Sequence, residues 1–368
     1  MKAAVSTVKS KSLVEKVADA VLYEGYILYP YRPSVVKNQQ RWNFGALCPQ
    51  SYSLAQGGTE AWTMQTECIA QVSSRTTLDL KVRFLQLLTR EVGVPTSAGG
   101  FRAADFEEGQ SANLLPDSDC RVVASLKVNG QLFQTWQEAV ERVESFAGVR
   151  LSGLTSHWQR LAFSFPASEQ KEPLRDESSG EIVAVIVRRQ QEIEGAIEVV
   201  VQRIGEELVK LTVRILNLTP LADAGQRSRD DALLRSLVST HTILNVREGE
   251  FVSLLDPPEA FRTAVGSCNN VGTFPVLVGA EGERDCLLSS PIILYDYPQI
   301  AAESAGDLFD STEIDEILTL RIMTLTEEEK IEMRGADDRA RQILERTEML
   351  PLEQLMKLHG AMKGVNRK

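Results

Sequence analysis

From Leu78 to Phe84 the chain alternates strictly. Leu78, Leu80, Val82 and Phe84 stand against Asp79, Lys81 and Arg83, the period of a strand with one buried face. A second alternation, Val209, Leu211, Val213 and Ile215 against Lys210, Thr212 and Arg214, follows EGAIEVVVQRI across Gly205-Glu206 and predicts a β-hairpin. The segment TMQTECIAQV predicts a partner for the first alternation, with a turn at Ser73-Ser74-Arg75. The strands LKVRFLQL (80–87) and LTVRILNL (211–218) are identical at five of eight positions. That match points to an internal duplication at an offset of about 130 residues, set against the chance likeness of half-buried strands.

Helical spacing occurs in fewer places. Leu13, Val14, Val17, Ala18, Val21 and Leu22 share one face, with Ser12 and Glu15 at capping-box spacing and Gly25 as the stop. WQEAVERVESFAG, from Trp136, predicts a short amphipathic helix ending at Gly148. Residues 168–181, SEQKEPLRDESSGE, are charged, aperiodic and broken by Pro173 and Gly180, which predicts an exposed loop or linker. YILYPYRP predicts a short edge strand, since its prolines cannot donate to a central ladder. Beyond Thr326 and Glu329, another capping-box pair, a charged helical tail is expected, restarting at Pro351.

The fold class expected is therefore mainly β with peripheral helices: one or two antiparallel β-sandwich units and a helical C-terminal tail. The domains expected are 1–170, β-rich with a leading helix; 181–320, β-rich and a candidate duplicate of the first; and the tail 321–368.

Composition narrows the function more than the fold. Over 368 residues the net charge is −11, which opposes general nucleic-acid binding. The cysteines at 48, 68, 120, 268 and 286 are odd in number and contain no CxxC, so neither a disulfide framework nor a zinc ribbon is expected. The N-terminus has no signal-peptide pattern and no window is apolar enough to span a bilayer, which predicts a cytoplasmic protein. P-loop, GxGxxG, GxSxG and HExxH motifs are missing. No catalytic residue, metal site or cofactor is expected.

Two residues remain as weak chemical candidates. His241, in RSLVSTHTILNV, reads as a strand residue rather than a base. Cys268, in GSCNNVG, reads as part of an Asn-rich turn rather than a nucleophile, because no local base or helix start lowers its pKa. The stretch SSPIILYDYPQIAAESAGDLFDSTEIDEI (289–317) predicts a buried strand over Ile292–Tyr295 and then an acidic loop. Its carboxylates lack EF-hand spacing. Asp310 and Glu313 match a helix cap, and the other readings are a partner surface or a metal. Tyrosines at an interface offer rigid area with a polar tip. Tyr29, Tyr31, Arg32, Tyr295, Asp296, Tyr297, Glu303 and Asp307 are thus the candidate partner-binding residues.

YEGYILYPYRPSVVKN and LLSSPIILYDYPQIAAESAGDLFDSTEIDEILTLRIMTLTEEEK resemble a family of uncharacterised proteins associated with actinobacterial-type nickel–iron uptake hydrogenase gene clusters. The resemblance implies an accessory or structural role in such an assembly, with a protein partner, a hydrogenase subunit among the candidates, or a homo-oligomer. It supplies no catalytic residues. The competing reading is a cytosolic enzyme using Cys268 or the acidic loop, with or without a divalent metal.

Overall fold

The computed structural model describes residues 14–19, 21–22, 44–96, 120–154, 157–299, 325–334, 341, 344–345 and 348–349. Residues 23–43, with the edge strand expected at YILYPYRP, residues 300–324, with the acidic loop and the cap expected at Asp310 and Glu313, and Ser12, Gly25 and Pro351 lie outside them. Helices among the described residues include α1 (residues 14–19 and 21–22), α2 (Gln50–Ala55), α3 (Arg229–Leu233), α4 (Arg262–Gly266) and α5 (Glu327–Arg334).

The chain is mainly antiparallel β, as its alternation predicts. The strands are β1 (Thr63–Pro95), β2 (Cys120–Val123), β3 (Ser125–Val128), β4 (Gln131–Gln134), β5 (Trp136–Arg150), β6 (Gln159–Phe165), β7 (Ser168–Arg175) and β8 (Ile182–Gln190). They continue with β9 (Ile193–Arg203), β10 (Leu208–Asn217), β11 (Val238–Phe251), β12 (Phe274–Leu277) and β13 (Cys286–Ser290). Among the described residues, β3 and β4 form a hairpin of their own and the other strands join in one sheet.

β1 is the spine of that sheet. Its first third pairs with β10, its middle with β11 and β5, and its end with β8 and β2. Pairing therefore runs across the 168–181 segment, joining β1 to strands on both sides of it. The sheet coils enough for β6 to return to β1: the Phe84 ring lies 6.0 Å from that of Phe163 and 5.7 Å from that of Phe165. Gly195 makes this closure possible, since a Cβ there would sit 2.2 Å from Phe163 Cζ. The main core fills the coil with Met64, Leu80, Phe84, Ile197, Val213, Leu244 and Phe251.

Three local expectations are overturned. The Ser73–Arg75 "turn" is a bulge inside one 33-residue strand. Thr76 Oγ1 accepts from Ser73 N at 2.8 Å and donates to Glu248 O, so hydroxyl-rich residues that read as a turn satisfy their own backbone without reversing the chain. The first hairpin does not exist, and residues 80–87 continue the very strand whose start pairs with 211–216. Trp136–Arg150 is a strand, not a helix. The open edge of β1 needs hydrogen-bond partners from Thr77 to Arg90, and that demand outweighs the weak helical preference of Ala, Glu and Arg. Residues 168–175 are also a strand, and the loop shrinks to a turn in which Asp176 Oδ1 accepts from Ser178 N (3.0 Å) and Ser179 N (2.9 Å). Lys171 and Pro173 on β7 fit a sheet-edge strand.

The expectations for the β9–β10 hairpin, α1 and the Thr326–Glu329 cap agree with the structure. β9 and β10 pair from Arg203/Val209 to Gly195/Asn217. Val14, Val17, Ala18 and Val21 of α1 pack on Ile243, Val276, Val278 and Leu288. Thr326 Oγ1 accepts from Glu329 N while Glu329 Oε2 accepts from Thr326 N.

Candidate functional site

The candidate residues 295–297 lie on an elbow that follows β13. The strand stops at Ser290 because Pro291 has no N–H for the ladder. The buried strand expected over Ile292–Tyr295 is thus a half-buried segment outside the sheet. Its period-2 pattern survives: Ile292 and Leu294 pack into the cluster under α1, and Ile293 (74% exposed) and Tyr295 (85% exposed) point outward.

Two bonds then fix the elbow to the free edge of β12. Asp296 Oδ1 accepts from Leu277 N at 2.8 Å, and Tyr297 N donates to Leu277 O at 2.7 Å. Asp296 Oδ2 also accepts from Ser253 Oγ at 2.5 Å, and that same hydroxyl accepts from Asp256 N. An edge strand's open backbone groups are thereby satisfied. Tyr297 takes a left-handed backbone, φ 56°, and packs against the main core. Burial pushes its phenol pKa up. Asp296 and Tyr297 therefore anchor the elbow, and Tyr295 is the residue it presents. Tyr29, Tyr31, Arg32, Glu303 and Asp307 lie outside the described residues.

Cys268 sits after α4, in the Asn-rich turn that the sequence predicts. The turn is clamped to β1: Asn269 N donates to Glu67 Oε2 (2.8 Å), Glu67 N donates to Asn270 Oδ1 (2.7 Å), and Gln65 Nε2 donates to Asn269 O (2.9 Å). Lys210 Nζ lies 3.0 Å from Glu67 Oε2. Burial works to raise the Glu67 pKa, but Asn269 N–H and Lys210 bring it below its ordinary value. The thiol of Cys268 is pushed up to about 11, chiefly by burial and then by Glu67. It is therefore protonated near neutral pH, which works against nucleophilic use.

His241 is fully buried on β11. Nδ1 is 2.7 Å from Ser239 O and Nε2 is 3.1 Å from Ser290 Oγ. Burial, with a smaller contribution from Arg83 across the strand pair, lowers its pKa to about 4 against the raising effect of the bond to Ser239 O. The Ser–His contact resembles an activated nucleophile in outline, yet both residues are 0% exposed. Among the described residues, no group of three or more His, Cys, Asp or Glu side chains could hold a metal ion, and no helix is long and apolar enough to cross a membrane.

Sequence reasoning missed two features. One is the structural duty of Asp296, whose partners Leu277 and Ser253 are 19 and 43 residues away. The other is a cavity of about 990 Å³ beside α1, lined from β1, β5, β11 and the segment before β13. Its residues come from stretches far apart in the chain, so no contiguous motif announces it. No protein-family model matches the chain, and no curated protein matches it.

Proposed function

We propose that the chain is a non-enzymatic interaction protein that engages a protein partner through the elbow at Ile293 and Tyr295. One observation carries this reading. Two large apolar side chains stand in solvent on a backbone that Asp296 and Tyr297 pin to β12. Rigid, exposed aromatic and aliphatic groups lose little conformational freedom when a partner covers them, which suits them to interface anchoring. The resemblance in the 23–38 and 287–330 segments makes a nickel–iron hydrogenase assembly the partner of choice and a cytoplasmic accessory role the setting. Affinity capture from an extract of the native host, comparing the wild-type chain with Ile293→Ser/Tyr295→Ser, tests the reading. The variant should lose the partner and keep its melting temperature.

A further inference from the structure

Two edges of the sheet are protected. The elbow closes β12 through Asp296 and Tyr297, and β7 carries Lys171 and Pro173. Strand β5 has neither device. Its ladder is made with β1, and no other described strand pairs with it. One-sided pairing satisfies alternate backbone groups only, so the others along 139–147 point away from the sheet. This stretch contains no lysine or proline, and Val143 at its centre is 44% exposed.

The register with β1 sorts the side chains of β5. Val140, Arg142, Glu144 and Phe146 stand beside Gln86, Phe84, Val82 and Leu80, on the face of the main core. The Arg142 guanidinium lies 4.9 Å from the centre of the Phe165 ring and donates to Gln86 Oε1 at 2.8 Å and to Gln190 Oε1. Both acceptors are neutral. Burial lowers the Arg142 pKa and raises that of Glu144, as for charges with no opposite neighbour. One face of this open edge thus carries a half-buried cation and a half-buried anion, two residues apart, that no described residue neutralises.

An inward charge of one sign repels a second strand. Opposite charges two positions apart do the reverse when the strand meets its own antiparallel copy. A two-fold axis normal to the sheet keeps each face on its own side, so even positions meet even ones and odd meet odd. Centred on Val143, the axis sets Arg142 opposite Glu144 twice, Val140 opposite Phe146 twice, and Val143 opposite itself. Centred on Glu141, Arg142 or Glu144, it brings like charges face to face. Centred on Val140 or Ser145, it leaves Glu144 opposite Trp136 or Phe146. We propose that two copies of this chain join antiparallel through their β5 edges, with the axis at Val143 and Arg142 of each copy facing Glu144 of the other. The surface is separate from the elbow.

Sedimentation equilibrium of the full chain over a concentration series reads the assembly. Wild type should dimerise with a dissociation constant below ~100 µM. Glu144→Arg and Arg142→Glu each set like charges opposite one another twice, and each should weaken dimerisation about tenfold or more. Mixed one to one, the two variants should recover the dimer, because every 142–144 contact is again between opposite charges. Should Arg142→Glu lose its fold with its bonds to Gln86 and Gln190, Val143→Lys takes its place. It sets two ammonium groups on the axis and should also yield monomer. The proposal is overturned if wild type stays monomeric at that concentration, if folded Glu144→Arg or Val143→Lys dimerises as wild type does, or if the folded mixed pair fails to associate. Ile293→Ser/Tyr295→Ser should sediment as wild type does, so failure at β5 and failure at the elbow are read independently.

Discussion

Asp296 has both carboxylate oxygens committed, one to Leu277 N and one to Ser253 Oγ. Truncating it leaves a partly buried backbone donor on β12 without its acceptor, so Asp296→Ala should cost about 1–3 kcal/mol in urea unfolding. Tyr295→Ser, at the preceding position but directed into solvent, should leave the midpoint unchanged. A midpoint for Asp296→Ala equal to wild type would show that the elbow is held by other means. His241 sets a pH dependence. Its folded-state pKa, about 4, lies below the ordinary value of 6.5, so between these values the unfolded chain binds more protons than the native one. The stability contributed by the neutral imidazole is fully present above pH 6.5 and is lost as pH falls toward 4. Urea midpoints measured across that window should decline more steeply for wild type than for His241→Gln. Parallel slopes would remove His241 as the cause.

The elements show what the sequence disclosed and what it concealed. Period-2 alternation in β1 and β10 and the Gly-containing β9–β10 turn were legible because each depends on neighbours in sequence. The capping box at Thr326 and the apolar face of α1 were legible for the same reason. Strand β5 was not, since Trp136–Arg150 is extended only to complete a ladder on residues 46 to 73 positions earlier. The 73–76 bulge was misread because the hydroxyls of a bulge and of a turn serve the same backbone groups. At the site, the Tyr-Asp-Tyr stretch was singled out, but the division of labour within it depends on Leu277 and Ser253 and is visible only in the fold. Gly195 illustrates the same limit. Its lack of a side chain answers to Phe163 on the neighbouring strand, not to a turn. Gly195→Ala should cost about 1–3 kcal/mol through overpacking. In a Phe163→Leu background the same alanine substitution should cost less, a coupling that a double-mutant cycle on denaturation midpoints measures. Additive effects would mean the ring is not what excludes the methyl group.

Among the described residues, one long strand gathers most of the sheet, and His241, Glu67 and Arg83 are turned inward. His241 is sealed between Ser239 and Ser290, Glu67 is bound by Asn269 and Lys210, and Arg83 is enclosed by Glu15, Asp19 and Glu141. What faces outward at the candidate site is apolar and rigidly mounted. Under the proposed function, the elbow is where the partner makes contact. The most direct test is quantitative affinity capture from the native host, with partner recovery normalised to bait. Ile293→Ser/Tyr295→Ser should retain the wild-type melting temperature and lose most of the specifically captured partner, a hydrogenase subunit under the proposed function. A control at another exposed apolar position, Leu54→Ser on α2, should capture as wild type does. Full recovery by a folded elbow variant would contradict the account.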